Sequence, residues 1–436
     1  MSTPTTLRKT PTGLLGKRVA ASEPRTESSQ AKRLLLARHH VVAPSLRVAE
    51  AAAGSVFGAA RLRGPIARDT IASVTGLSIA TVNRQVTALL DSGVLRERAD
   101  LAVSGAIGRP RVPVEVNHEP FLTLGIHLGA RTTSIVATDL LGRTLDVVET
   151  PTPQGPQNAA LASLAESARR YLSRWHRRKA LWVGVAAGGV IDTATGYFDH
   201  ARLGWSDAPV GPVLAEALGL PVSVASHVDA MAGAELLLGV RRSNTPTATS
   251  LYVYARETVG YALSIGGRVH SPASGPGTIA ALPAQSELLG NTGQLESTVS
   301  DEAVLSAARK LRVVPADGPA STIGAVLRAA RQGNAKAQEL LAERAQVLGH
   351  AVAMLRDMLN PDDLVVGGQA FTEYPEGMEL VEAAFAERSA LAPRDIRVTA
   401  FGNRVQEAGA GVVSLGGLYA DPVGAMRRAQ RSESTA

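Results

Sequence analysis

The sequence predicts an α/β protein in which an N-terminal winged helix-turn-helix precedes a larger body of two α/β lobes. Three observations carry this. The basic charge is confined to the first quarter of the chain. That quarter holds two apolar helical periods joined by a glycine turn. After Glu119-Pro120 the texture changes to strands alternating with helices.

The charge asymmetry comes first. Residues 1–117 hold 17 Lys and Arg against 8 Asp and Glu, whereas the remainder holds 28 against 31. A basic surface of this kind suits a polyanion, and only the N-terminal part offers one. At 436 residues, 45% of them hydrophobic and 19% charged, the chain is long enough for two or three domains with real cores. It has no cysteine, which excludes disulfides, thiol nucleophiles and thiolate metal sites. The N-terminus lacks an apolar signal region, and the apolar run from Leu181 to Ile191 is too short to cross a bilayer. A cytoplasmic protein without a membrane partner is expected.

Along the chain, residues 1–43 read as a basic arm without fixed structure, save a short helix over 29–42. From Ser45 to Leu62 the apolar spacing is helical, and Gly64-Pro65 stops it. A second helix should cover 67–74 with Ile71 and Val74 inward. Gly76 breaks it, and Ser78 is suited to cap the third, which presents Ile79, Val82, Val86, Leu89 and Leu90 on one face. The other face carries Thr81, Asn83, Arg84 and Thr87. Residues 94–97 and 112–116 read as strands around a wing. This module is placed at 44–117.

Such a helix fits a major groove, where Ser78, Thr81, Asn83, Arg84 and Thr87 would meet bases or phosphates. Arg68, at the start of the preceding helix, suits a phosphate. The wing ends in Gly108-Arg109-Pro110-Arg111, and Arg109 and Arg111 suit a narrow minor groove. Double-stranded operator DNA is therefore the expected macromolecular partner.

In the body, strands are expected at 122–128, 133–139, 144–149, 182–187, 222–225, 249–255 and 259–265. Helices are expected at 157–176, 210–218, 301–311, 319–330, 334–358, 376–388 and 405–419. The first lobe is placed at 121–229 together with the helix 405–419, the second at 230–402, and 420–436 as a tail. The two lobes have the look of duplicated halves.

These residues resemble the ROK family (repressor, open reading frame, kinase). The resemblance rests on Gly64-Pro65-Ile66-Ala67-Arg68, Thr75-Gly76-Leu77-Ser78 and Gly108-Arg109-Pro110. It continues through 184–192, Leu203-Gly204-Trp205, Gly219-Leu220-Pro221-Val222, the Gly290, Gly293, Leu295, Glu296 pattern, Asn360-Pro361-Asp362 and Gly367-Gly368. It implies a two-lobed, actin-like (ribonuclease H-like) sugar-kinase fold with ligand bound between the lobes. It also implies a transcription regulator, a repressor of carbohydrate-use genes, acting as a homodimer or homotetramer.

The kinase motifs of the family are replaced here. Where its phosphate loop has Asp-x-Gly-Gly-Thr, this chain has His127-Leu128-Gly129-Ala130-Arg131. Its Gly-Thr-Gly turn becomes Arg256-Glu257-Thr258, and its Asn-Asp sugar and base pair becomes Ser226-His227. The zinc motifs of many members become Thr278-Ile279-Ala280-Ala281 and 287–294, without histidine or cysteine. No catalytic residue, metal or cofactor is therefore expected. The resemblance instead implies a sugar or sugar-phosphate effector near Gly189, Arg202, Trp205, Ser226, His227, Asp229 and Glu296. Trp205 would stack on a sugar ring, and Arg202 would suit an anionic ligand. An active sugar kinase with a DNA-binding arm, or a DNA-bound scaffold without ligand, are the alternatives.

Overall fold

The computed structural model describes residues 40–102, 112–239, 248–272, 275–318, 320–392 and 394–435. Arg109, Arg111 and most of the helix expected over 29–42 lie outside the described residues.

The first described segment departs from its sequence pattern. Residues 40–50 are extended, and the helix expected from Ser45 begins only at Ala52. Leu46, Val48 and Ala49 have helical spacing, but sheet edges capture their backbone. Val42 N–H donates to the Val222 carbonyl at 2.8 Å, and Val222 N–H to that of His40 at 2.8 Å. Val48 N–H donates to Gly267 at 2.8 Å, and Val269 N–H to Leu46 at 2.9 Å. Residues 40–43, expected in the arm, thus belong to a strap bonded to two sheets. Tertiary pairing outweighs local propensity here.

The strap runs into helix α1 (Ala52–Arg63), followed by α2 (Arg68–Thr75) and α3 (Ile79–Asp91). Gly76 ends α2 at φ +69°, a conformation in which glycine carries no Cβ penalty. The Ser78 side chain then accepts from Thr81 N–H and caps α3. Strands β1 (Leu95–Glu97) and β2 (Val114–Val116) pair antiparallel at the base of the wing. Ile71, Val82, Val86 and Leu89 are buried as expected, but Val74 and Ile79 are 39% and 49% exposed. This module does not close its own core. Phe57, Ile71 and Val86 share one apolar cluster with Leu181, Trp182, Leu415 and Leu418 of the body.

The body holds two sheets of the same design. The first contains β3 (Phe121–Leu128), β4 (Thr132–Thr138) and β5 (Thr144–Pro151) as an antiparallel meander. Helix α4 (Gln157–Ser173) then leads to β6 (Lys179–Ala187), which pairs parallel with β3. A small sheet of β7 (Val190–Asp192), β8 (Tyr197–His200) and β9 (Trp205–Ala208) follows, then α5 (Val210–Leu218). Strand β10 (Val222–Ser226) pairs parallel with β6 and forms the sheet edge. Helix α6 (His227–Leu237) leads to the second sheet.

That sheet opens with its own meander, β11 (Thr249–Ala255), β12 (Val259–Ile265) and β13 (Arg268–His270). A short β14 (Gly277–Thr278) joins β12, and β15 (Pro283–Ala284) pairs with β16 (Gly293–Gln294). Helices α7 (Leu295–Val299), α8 (Asp301–Lys310), α9 (Ile323–Arg331) and α10 (Ala335–Leu359) intervene. Then β17 (Asp363–Gly367) pairs parallel with β11, and β18 (Arg397–Val398) parallel with β17, after α11 (Gln369–Thr372) and α12 (Met378–Arg388). Each sheet is thus a three-strand meander extended by two parallel strands on the side of its first strand. That shared order is the architecture of duplicated halves.

Helix α13 (Val405–Ala420) packs back on the first sheet. It lies so close that a Cβ on Gly184 would collide with the Ser414 amide, and Ser414 Oγ donates to Thr123 Oγ1 at 2.7 Å. Residues 422–435, expected as a tail, form a helix, α14 (Pro422–Thr435), whose Ala425, Met426 and Ala429 enter the cluster shared with α1 and α3. Among the described residues, no helix is long and apolar enough to cross a membrane.

Candidate functional site

Two surfaces carry the chemistry. On the first, α3 presents Ser78, Asn83, Arg84 and Thr87 exposed and Thr81 half-buried. Ser78 and Thr81 are engaged in the cap, and Thr87 Oγ1 donates to the Asn83 carbonyl at 3.0 Å. Arg68 reaches Asn83 at 3.4 Å and pairs with Glu97 at 3.2 Å, so it is held beside α3. Arg96 and Arg98 both pair with Glu115 across the wing base, at 2.8 and 2.9 Å. Arg84 makes no such bond among the described residues, and its side chain is exposed.

The second surface is a cleft of about 220 Å³ between the lobes. Its walls are the two meander turns, 128–132 from β3–β4 and 256–258 from β11–β12, together with Gly188, Gly189 and the segment 200–202. Gly189 sits at φ +98° against the Asp199 carbonyl, where a Cβ would collide. Across the cleft, Arg131 approaches Glu257 at 3.8 Å and Glu302 at 3.4 Å. Arg202 donates to the Glu257 carbonyl at 2.9 Å and pairs with Glu296 at 3.2 Å. The other oxygen of Glu296 accepts from Val259 N–H at 3.2 Å.

The floor is aromatic and imidazole. His127 and His227 stack 6.2 Å apart, and His227 lies 5.3 Å from Tyr254. Burial, then the charge of nearby groups, depresses both imidazoles, His127 to about 3 and His227 to about 4. They are neutral at physiological pH. Tyr254 Oη accepts from Gln406, whose Oε1 accepts from Arg256 at 2.8 Å.

The sequence-expected ligand residues thus separate. Gly189, Arg202 and His227 line the cleft. Glu296 stands behind Arg202, which it pairs with. Ser226 caps α6 by accepting from Asp229 N–H, and Asp229 is buried, its carboxyl pushed up by desolvation. Trp205 is 3% exposed and packs on Phe198 in the core of the first lobe, so it has no free face for a sugar ring. His200, Tyr254, Arg256 and Gln406 also line the cleft, and no motif in the sequence marks His200, Tyr254 or Gln406 for it. His127 and Arg256 stand in replaced motifs, and the replacement itself is their signal in the sequence.

The family zinc does not fit here. Residues 278–281 and 287–294 offer no nitrogen or sulfur ligand, and among the described residues no group of three or more His, Cys, Asp or Glu is placed to hold a metal. Hydroxyls hold the loop instead. Thr292 Oγ1 lies 2.6 Å from Ser297 Oγ and 3.1 Å from Thr298 Oγ1, and Ser286 Oγ accepts from Leu289 N–H at 3.1 Å.

Paired duplicated sheets around a cleft, joined to a helix-turn-helix, define a DNA-reading relative of the sugar kinases. The family model described as ROK family matches residues 123–413, and the chain belongs to the ROK family. Within it the chain is a transcriptional regulator. It is 73% identical over 404 residues, 91% of this chain and 92% of the relative, to a protein of Mycobacterium tuberculosis named as a transcriptional regulator. It is 24% identical over 323 residues, 70% of this chain and 77% of the relative, to the DNA-binding transcriptional dual regulator NagC of Escherichia coli. Among solved structures, a ROK family transcriptional regulator homologous to the E. coli MLC protein shares the fold. Its TM-score is 0.70 at 20% identity, over 87% of this chain and 98% of that one. A ROK hexokinase from Thermus thermophilus gives 0.54 at 25% identity, over 67% and 98%.

Proposed function

We propose that this protein is a cytoplasmic repressor of carbohydrate-use genes that binds a palindromic operator as a symmetric oligomer and senses a sugar or sugar-phosphate between its lobes. The observation that carries the reading is the common core of the DNA module and the body. Because Phe57 and Val86 pack with Trp182 and Leu418, the reader is seated on the lobe that lines the cleft. A ligand that prefers one lobe arrangement then shifts the population able to bind DNA. Relatives named as N-acetylglucosamine and xylose repressors support the choice of effector class.

The same reading assigns no phosphoryl transfer. Backbone N–H groups cradle phosphate only where the turn is open. Here the Glu257 carboxylate occupies the second turn, and the first carries His127 in place of the carboxylate and Arg131 in place of the hydroxyl. Arg84, Asn83 and Thr87, with Arg68, Arg109 and Arg111, are assigned to DNA.

The test is binding of the full-length protein to a genomic fragment library, with and without a mixture of sugars and sugar phosphates, alongside an ATP-turnover assay. Specific fragments released or retained differently with ligand bear the reading out. Absence of specific fragments overturns the regulator, and sugar-dependent ATP turnover overturns the non-catalytic assignment.

A further inference from the structure

We infer that the interlobe cleft takes a small ligand bearing a phosphate or carboxylate group, and that Arg256 and His127 form the end of the site that receives this anion. The inference rests on the effector reading above and fixes the chemistry of that effector.

Charge on the cleft wall comes from Arg131, Arg202 and Arg256 against Glu257 alone. The first two arginines are already answered, by Glu257 and Glu302 and by Glu296. Arg256 is not. Its Nη1 donates to a neutral amide, Gln406, and its Nε is buried without a partner. A half-buried guanidinium that lines a cleft without a direct ion pair has donors to offer, and its planar fork suits an oxyanion. His127 supplies an independent observation. It is 4% exposed, lines the same cleft, and its Nε2 has no partner. The imidazole is neutral and lies within the field of Arg256, so it can donate one N–H to the same anion. A neutral sugar would satisfy His127 but give Arg256 no direct ionic partner. The cleft is also smaller than the roughly 300–1,000 Å³ of drug-sized sites, which suits a ligand of monosaccharide size.

Arg256→Met removes the charge while sparing the Arg256 carbonyl, which accepts from Asp301 N–H at 3.0 Å. Calorimetric titration of the full-length protein with glucose 6-phosphate, gluconate, inorganic phosphate and glucose tests the inference, with thermal unfolding of each variant. The expected result is binding of at least one anionic probe, glucose no better than background, and a loss of about tenfold or more in Arg256→Met. The ligand-free variant should melt close to the parent, because the Arg256 side chain donates only to a neutral amide, Gln406, and makes no direct ion pair among the described residues; a purely structural arginine would give a clearly lower melting temperature. His127→Gln serves if Arg256→Met does not fold, with weaker anion binding expected. Which anionic probe binds separates phosphate from carboxylate. Glucose binding as tightly as its phosphate, or anion binding unchanged in Arg256→Met, overturns the inference and leaves the sensor standing. No binding by any probe overturns both.

Discussion

The imidazole rings of His127 and His227 lie parallel, 7° apart in plane and 6.2 Å between centroids, one at the end of β3 and the other at the start of α6. Both are buried and neutral in the folded protein, with pKa values near 3 and 4. In the unfolded chain each titrates near 6.5. As pH falls below about 6.5 the unfolded chain takes up protons that the folded one refuses, so stability is full above that value and is lost as pH falls toward 4 and 3. At pH 5.5 the loss is about 1.4 kcal/mol for each ring. Urea unfolding at pH 7.5 and 5.5 should show this drop, with His127→Gln losing less than the parent. Equal drops in both would mean that the ring is charged in the fold.

Arg84 is the exposed cation of α3 and has no partner among the described residues, so Arg84→Ala should leave the melting temperature within a degree or two while weakening operator binding. A base or phosphate contact of this kind carries about 1–3 kcal/mol, roughly five- to 150-fold in Kd. Fluorescence anisotropy with an operator duplex measures it. Arg68→Ala should cost both binding and some stability, because it also frees Glu97 and Asn83.

Gly184→Ala should destabilise by about 1–3 kcal/mol, since α13 lies against that position and has no room to retreat without breaking the Ser414–Thr123 bond. Thermal unfolding reads the loss. An unchanged melting temperature would show that α13 gives way freely.

Leu46 is 6% exposed and packs against Gly233. Leu46→Ala should cost about 2–5 kcal/mol. Hydrogen exchange should quicken at Val48 and Val269, where the strap pairs with the second sheet, before it does in the central strands. Uniform exchange across the sheet would place the strap among ordinary core segments.

Much of the body was legible because its strands are apolar runs between glycine turns, as at 122–128 and 249–255, and its helices are long and periodic, as at 335–359. The strap was not. Leu46, Val48 and Ala49 carry a helical period, and only the distant edges at Val222 and Gly267 make them extended. Val74 and Ile79 obey an amphipathic pattern yet lie on the rim of the module, where no element among the described residues covers them. Residues 422–435 look like a polar tail because the apolar stripe that α14 adds to the shared cluster is narrow, Ala425, Met426 and Ala429. In the cleft, Gly189, Arg202 and His227 could be placed from motif positions. That Arg202 pairs with Glu296 while Arg256 donates to the neutral amide of Gln406 depends on partners up to 150 residues away.

The strap also limits geometry. Four residues on from Val42, which is bonded to β10, comes Leu46, which is bonded to β13, and these strands are the outer edges of the two sheets. A fully stretched chain reaches about 3.3–3.6 Å per residue, or about 14 Å over that interval. Lobe opening that carries the two edges beyond this reach must break a bridge, so the segment acts as a mechanical stop. Because it continues directly into α1, slack taken up at the lobes is drawn from the end of the chain that holds the DNA reader.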